Sequence, residues 1–235
     1  MKRFPKPGLF LLLLLLGLGP GCSEPSATAE GRLYYTLQEE NLYRIDWTDP
    51  EGSVAHPFLG EGEEARSPAV ASDGLTLAYL KGSPPRVYLY SLATRRDEQV
   101  STTTETPSRV AWGPVGRQLA YLRYLASGKV QLVLHPVGSE PRVLYEARNL
   151  GLPTWSRLGN RLYFTETDAA GVSRILTCKK DGSGLETVLE GASTPCVSPR
   201  GDAMIVLKDD KIQSYDLESK KLTLLLDAPG MSSPS

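Results

Sequence analysis

The chain has 235 residues and is almost neutral, with 26 Lys and Arg against 27 Asp and Glu and a formal net charge of −1. Three of the basic residues precede Cys22, which leaves 23 basic against 27 acidic residues after it and a net charge near −4. No basic stripe interleaved with aromatic residues is apparent, so the composition disfavours nucleic acid as a partner. The 22 glycines and 18 prolines are typical of many turns and short strands.

The amino-terminal residues are predicted to be a targeting signal and not part of the fold. Basic residues at positions 2, 3 and 6 precede an apolar run at 9–18. That run is shorter than the roughly 20 residues that a membrane-spanning helix needs. It is typical of the apolar region of a secretory signal, so residues 1–21 are predicted to form a signal peptide.

Cys22 directly follows small residues. This arrangement resembles the signal of bacterial lipoproteins, in which the cysteine is lipidated and becomes the new first residue. Gly19 departs from the leucine that such signals usually carry three residues before the cysteine. By the same resemblance, Ser23 favours the outer membrane, and residues 22–30 are the lipidated cysteine and a polar tether. The alternative is an ordinary cleaved signal with an unmodified cysteine.

The segment from Ser67 to Leu80 predicts a short strand, an Asp73-Gly74 turn and a second strand with large apolar residues. Asp-Gly suits a two-residue hairpin because glycine adopts positive φ at no steric cost. Similar segments recur around Gly116, Gly159 and Gly201, and the four glycines are spaced 42 to 43 residues apart. The chain is therefore predicted to be a repeat protein.

Each repeat continues with two further predicted strands. The third strands are predicted at 41–47, 86–92, 130–137, 173–179 and 211–217, and the fourth strands at 54–59, 97–101, 142–146, 186–189 and 222–226. The first repeat, which starts near Leu33, lacks its opening strand. Four strands in a unit of about 42 residues are typical of a propeller blade. We therefore predict an all-β fold, a β-propeller of about five four-stranded blades over residues 31–235.

A propeller ring must close, because an open ring leaves strand edges exposed. The carboxy-terminal residues 231–235 resemble the opening strand at Ser67, and Pro234 follows Pro195 at close to the repeat interval. We predict that this segment is the inner strand of the first blade and closes the ring. The alternative is an open ring, including one whose missing edge is supplied by a partner.

The Ser-Pro…Asp-Gly…Leu-Ala-Tyr pattern, together with the third strand Leu42–Asp46, resembles the repeats of the TolB-type β-propeller family. The resemblance covers about residues 31–235. Its motifs are degenerate, since only the copy at Gly74 keeps Asp-Gly. The family's namesake looks different in having an extra amino-terminal domain and six blades. The resemblance implies a periplasmic, protein-binding propeller.

The search for catalytic chemistry is mostly negative. Only His56 and His135 are present, and no neighbouring carboxylate or second histidine suggests a ligand set. No nucleophile elbow, zinc helix or phosphate loop is found, and Asp181–Gly184 is interpreted as a hairpin turn. We predict no cofactor and no metal. A disulfide between Cys178 and Cys196 is allowed in an oxidising compartment, but their predicted strands lie at different radii, which favours two packed thiols.

Three function classes remain open. The leading prediction is a non-catalytic, lipid-tethered module of the cell envelope, in the periplasm or at the surface, that binds a protein. The second is a glycan- or peptidoglycan-binding propeller. The third is a hydrolase or lyase with a site at the channel mouth, since propellers host several chemistries. Tyr and Trp side chains clustered beside acidic residues would favour a glycan as the ligand. Buried carboxylates with perturbed pKa values, or a metal site, would favour an enzyme. An uncharged apolar surface patch would favour a protein partner.

The sequence also predicts which end of the propeller binds. Turns between first and second strands are short in every complete copy, whereas loops on the opposite face are longer and more individual. Function concentrates on such loops. Arg66 and Arg109 are predicted to lie just before inner strands on that face and to hold an anionic or hydrogen-bonding partner. The alternative is that they pair with acids such as Glu63 or Glu64.

Overall fold

The structure is a computed structural model that describes residues 31–39, 42–59, 64–101 and 106–227. Within these ranges the chain forms nineteen strands and no helix. The same ranges accordingly hold no apolar helix of the length required to cross a membrane.

The strands form five antiparallel sheets, each built from strands that are consecutive in the chain. The first sheet has β1 (Leu33–Glu39), β2 (Leu42–Thr48) and β3 (Ala55–Leu59). The second has β4 (Ala65–Val70), β5 (Thr76–Lys81), β6 (Arg86–Ser91) and β7 (Arg96–Gln99). The third has β8 (Pro107–Trp112), β9 (Gln118–Tyr124), β10 (Val130–Pro136) and β11 (Arg142–Ala147). The fourth has β12 (Thr154–Trp155), β13 (Arg161–Thr167), β14 (Ser173–Lys179) and β15 (Glu186–Glu190), and the fifth β16 (Ala192–Val197), β17 (Ala203–Lys208), β18 (Lys211–Asp216) and β19 (Leu222–Asp227).

The first strands of neighbouring four-stranded sheets lie side by side, β4 with β8, β8 with β12, and β12 with β16. Each sheet is therefore a blade with its first strand innermost, and the prediction of a β-propeller with five blades is confirmed. The predicted third and fourth strands agree with the observed bounds to within two residues.

The predicted two-residue hairpins between inner and second strands are wrong. In the second blade, the Ala71 N–H donates to the Thr76 carbonyl at 2.8 Å, so four residues lie inside the closing hydrogen bond. The Gly74 N–H donates to the Ala71 carbonyl at 2.9 Å, and Gly74 has φ of 67°. The loop is thus a turn that ends in a left-handed residue, which is why glycine recurs here.

Apolar side chains fill each of the four junctions between consecutive blades. Between the second and third blades, Leu80 and Val87 pack against Trp112 and Tyr121, and all four are at most 2 % exposed. Burial of this apolar surface is the main stabilising contribution to the ring.

Two tryptophans add a repeated hydrogen bond to these junctions. The Trp112 indole N–H donates to the Ala69 carbonyl of the preceding blade at 2.9 Å. One blade further on, the Trp155 indole N–H donates to the Ala111 carbonyl at 3.4 Å. These two tryptophans therefore pack between consecutive blades.

The predicted closing strand, residues 231–235, lies outside the described residues. The described first blade has three strands, as predicted for a copy without its opening strand. On the fifth blade, Leu207 pairs with Ile212 across β17 and β18, and both side chains are only partly buried. The equivalent pair in the second blade, Leu80 and Val87, is almost fully buried because the third blade covers it.

Cys178 lies on β14 and is a free, fully buried thiol. It packs toward the third blade, against Leu122 and Phe164, whereas Cys196 lies on β16 of the fifth blade. No disulfide therefore joins the two cysteines, and the prediction of a packed thiol is confirmed for Cys178. Cys196 is itself disulfide-bonded, so the prediction of a second thiol is wrong there.

Trp112→Phe tests the hydrogen-bonded junction. The change keeps an aromatic ring but removes the indole N–H that donates to the Ala69 carbonyl. We expect a loss of about 0.5 to 1.5 kcal/mol in the free energy of unfolding, measured by urea titration. Trp155→Phe is the matched control, because its indole makes the longer hydrogen bond. It should lower the free energy of unfolding by less than Trp112→Phe does. An equal or larger loss for Trp155→Phe would contradict this role of the indole N–H.

A second prediction concerns Cys178. Burial raises the pKa of this thiol to about 11, from an ordinary value of 9.0. The folded thiol keeps its proton where the unfolded chain releases it, so its contribution to stability is complete below pH 9 and lost as the pH rises through 11. We expect the urea midpoint of the wild type to fall more steeply between these pH values than that of Cys178→Ala. Parallel pH profiles would show that this thiol does not titrate as described.

Candidate functional site

The loop face is the end of the propeller at which the inner strands begin. It carries the loops between second and third strands, at residues 82–85, 125–129 and 168–172, and the connections between blades. These three loops have four or five residues, like the loop 71–75 at the opposite end. The predicted contrast in loop length is therefore wrong for this set of loops. Among the blade connections, residues 60–63 and 102–105 lie outside the described residues.

Arg66 lies within β4, paired with Leu80, and not before the strand as predicted. Its guanidinium carbon is 5.1 Å from the centre of the Tyr43 ring on the first blade. A guanidinium at this distance is attracted by the ring's negative face. Arg66 thus joins the first blade to the second. Glu63 lies outside the described residues, and no ion pair between Arg66 and Glu64 is found in the described part of the chain.

Arg109 also lies inside its inner strand, β8, at a β-bulge between Ser108 and Val110. Its φ is 43°, and its side chain is exposed. A bulge redirects the side chain of the extra residue away from the regular ladder. Arg109 is therefore an accessible cation on a rigid strand.

The same bulge recurs in other blades at the same distance from the turn glycine. Ser67 has φ of 56° and Thr194 φ of 54°. The Ser67 N–H donates to the Thr36 hydroxyl at 2.9 Å, and the Thr194 N–H to the Thr165 hydroxyl at 3.0 Å. In both cases the threonine belongs to the second strand of the preceding blade. These bulges therefore fix the entry of the inner strand against its neighbour.

A cavity of about 260 Å³ opens beside the bulge of the fifth blade. It is lined by polar and charged residues, among them Ser173, Ser193, Lys208, Asp209 and Asp210. The Lys208 ammonium donates to the Glu190 carbonyl at 3.0 Å, so this cation is already engaged. Ordinary small-molecule sites begin near roughly 300 Å³, which makes this cavity small for a ligand of that class.

The other polar residues considered as candidate ligands in the sequence, Asp181 and the two histidines, are hydrogen-bonded, stacked or buried. Asp181 accepts hydrogen bonds from the N–H and hydroxyl of Ser183 within one turn, at 2.9 and 2.7 Å. His56 stacks on Trp47 with ring centres 4.3 Å apart, and His135 is buried. Across the described ranges, no three His, Cys, Asp or Glu side chains come together as a set of metal ligands.

Sequence reasoning missed Tyr43 as the contact of Arg66, because that contact joins two blades. It also missed the bulges. A proline follows the bulged residue at Ser67 and at Thr194, but the residue before proline favours extended backbone, so these pairs do not indicate a positive φ.

A family model described as PD40, TolB beta propeller domain, matches residues 27–235. The Tol-Pal system protein TolB of Alcanivorax borkumensis is 30% identical over 101 residues, which cover 41% of this chain and 23% of that protein. The chain thus spans about a quarter of this curated relative.

Solved structures are similar as well. TolB from Acinetobacter baumannii has a TM-score of 0.68 at 18% identity, with 84% of this chain and 54% of that chain covered. An oligogalacturonate lyase in complex with manganese has a TM-score of 0.65 at 17% identity, with 87% and 64% covered. At these identities the likeness shows the fold alone. The match of the family model over nearly the whole sequence goes further: this chain belongs to the TolB beta propeller domain family.

Proposed function

We propose that this protein is a non-catalytic module of the bacterial cell envelope that binds another envelope protein through its loop face. Membership of the TolB beta propeller domain family supports this class of function. The relative in Alcanivorax borkumensis carries the name of the Tol-Pal system, which makes a Pal protein the first partner to test.

The observation that carries the choice of face is the pair of arginines on neighbouring inner strands. Arg66 is held over Tyr43 at 5.1 Å, and Arg109 is presented by a bulge. Neither guanidinium has an ion-pair partner among the described residues. Cations that the scaffold fixes and that no described acidic side chain neutralises suit carboxylates or carbonyl groups of a partner.

The lyase and the glycan-binding alternatives have weaker support. The likeness to oligogalacturonate lyase lies at 17% identity and concerns the fold. No set of metal ligands occurs in the described ranges, and the aromatic residues Trp47 and Tyr43 are already stacked on other side chains. We therefore place protein binding first.

The double variant Arg66→Ala, Arg109→Ala tests the proposed face. We expect binding to a purified Pal protein, measured by surface plasmon resonance, to weaken at least about tenfold. The melting temperature should change by no more than a few degrees, because neither arginine fills the core.

The matched control is Arg95→Ala, Arg96→Ala. It removes the same charge from exposed residues near the turn before β7, at the other end of the propeller. Its binding should equal that of the wild type. Equal loss in both double variants would show a general charge effect and would contradict a specific role for Arg66 and Arg109.

We also propose that the protein is tethered to the membrane, with the outer membrane favoured, through a lipid on Cys22. A charged, leucine-rich approach to this cysteine supports the tether. In Cys22→Ser the protein should move from the membrane fraction to the soluble fraction, measured by fractionation of cells. A variant that stays with the membrane would exclude this anchor.

A lipid thioether and a disulfide are mutually exclusive at Cys22, because both use its one sulfur atom. The chain has three cysteines and Cys178 is free, so the disulfide of Cys196 is compatible with a lipid on Cys22 only if its partner is a cysteine of another molecule. In the alternative of an ordinary cleaved signal, the thiol of Cys22 is available for this disulfide. Mass spectrometry of the mature amino-terminal peptide, with and without reductant, distinguishes these states. A peptide whose mass lacks the lipid would reject the proposal.

A further inference from the structure

The opposite end of the propeller carries large exposed apolar side chains near the axis. In three consecutive blades the loop between inner and second strands presents Leu75, Val115 and Leu158, which are 57%, 51% and 71% exposed. We call this set, with the loops that carry it, the turn crown. Neighbouring exposed apolar residues in a soluble domain are typical of an interaction surface.

The loops between inner and second strands contact one another in the third, fourth and fifth blades. A side chain added at Gly159 would meet Val115 at 2.8 Å and Pro114 at 3.3 Å, so the loops of the third and fourth blades touch. Gly201 lies equally close to Arg157, since an added Cβ would be 2.9 Å from its Cβ. The loops of the third, fourth and fifth blades therefore form one continuous, rigid arc.

Between the second and third blades the loops separate and leave a cavity of about 210 Å³. Ala71, Ser72 and Asp73 line one side, and Trp112, Gly116 and Arg117 the other. The indole of Trp112 is fixed by its hydrogen bond to the Ala69 carbonyl. Leu75 and Val115 belong to the two loops that flank this cavity. The site is thus a recess of mixed lining, in which polar and charged side chains lie beside the Trp112 indole, with exposed apolar residues next to it.

The size of the recess indicates the class of occupant. At about 210 Å³ it is smaller than the roughly 300 Å³ at which small-molecule pockets begin. Protein interfaces, in contrast, are dominated by a few large side chains that fill pockets of the partner. The recess therefore has room for one side chain of a protein.

The charged side chains of the turn crown further restrict the class of partner that it can bind. Asp73 accepts the Leu75 N–H at 2.8 Å, and Asp202 is paired with Arg200 at 3.1 Å. Arg117 has no ion-pair partner within the described residues, and Arg157 donates to the Arg200 carbonyl at 3.2 Å. The crown therefore presents two guanidinium groups and one carboxylate, Asp73, that are not in ion pairs within the described residues. It has a small excess of positive charge beside its apolar residues, although the whole chain is slightly acidic. Acidic groups of a partner complement this arrangement.

We propose that the turn crown is a second interaction surface, separate from the loop face, that binds a protein segment carrying an aromatic or aliphatic anchor next to carboxylates. The anchor occupies the recess between the second and third blades, and the carboxylates contact Arg117 and Arg157. This inference does not depend on the proposed function, because it concerns the other end of the propeller.

A peptide probe tests the surface. The probe is a fluorescein-labelled peptide with one phenylalanine between two pairs of acidic residues, and its neutral counterpart carries glutamine and asparagine instead. Fluorescence anisotropy with the whole mature protein should show binding of the acidic peptide at least about fivefold tighter than that of the neutral one. Tight binding should weaken as salt is added.

Two variants separate the recess from the charges. Ser72→Phe fills the recess from an exposed position with no recorded side-chain hydrogen bond, and it should abolish binding of both peptides. Arg117→Gln, Arg157→Gln should reduce binding of the acidic peptide to the level of the neutral one. The double variant Arg66→Ala, Arg109→Ala should bind both peptides as the wild type does.

Other outcomes overturn the proposal. Equal affinity for the two peptides, or full binding by Ser72→Phe, would reject the recess with its two cations. Sedimentation velocity that shows a dimer of the wild type and a monomer of Ser72→Phe would assign the crown to a second copy of this chain. Loss of binding in the Arg66→Ala, Arg109→Ala variant alone would return the peptide site to the loop face.

Discussion

The junction between consecutive inner strands is the constraint on which the rest of this propeller depends. A single blade would leave both sheet faces in water, so each blade must be covered by the next. At two of these junctions, Trp112 and Trp155 combine the burial of a large ring with a hydrogen bond to a carbonyl of the preceding blade. Each bond brings an additional donor to a carbonyl of the neighbouring inner strand. The two indoles therefore fix both the distance and the register between blades, and the loops at either end take their positions from them.

Within the described residues, the fifth blade is less well covered than the second. Leu207 and Ile212 are only partly buried, whereas the residues at the equivalent positions of the second blade are almost fully buried. The consecutive leucines 224–226 of β19 are each about half exposed. Water at this edge weakens the apolar contribution of the fifth blade relative to the inner ones. The stability of the ring is thus unequal around its circumference, and we expect the fifth blade to exchange its amide hydrogens before the third.

The sequence predicted the strands well and the site less well, for a physical reason. A strand is specified by the alternation and spacing of residues within one repeat, so the 42-residue period was enough to place β14 at its exact bounds. The contact between Arg66 and Tyr43 joins two repeats, and no spacing within a repeat encodes it. The bulge at Arg109 has no glycine to indicate its positive φ. The exposed crown was missed because short turns were assumed to carry little recognition, whereas Leu158 is the most exposed large apolar residue in the described ranges.

The two proposed surfaces are mechanically connected. β8 begins near the Arg109 bulge on the loop face and ends at Trp112, which forms a wall of the recess on the turn crown. Arg109 and Trp112 are three residues apart, which is about 10 Å along an extended strand. Any coupling between the two surfaces would have to pass through β8 and the hydrogen bond of Trp112 to the second blade. Because close-packed junctions resist small continuous shifts, this strand is better suited to hold two partners at a fixed separation than to relay a movement. The arrangement is that of a spacer whose ends differ in chemistry, cationic at one end and apolar with cations at the other.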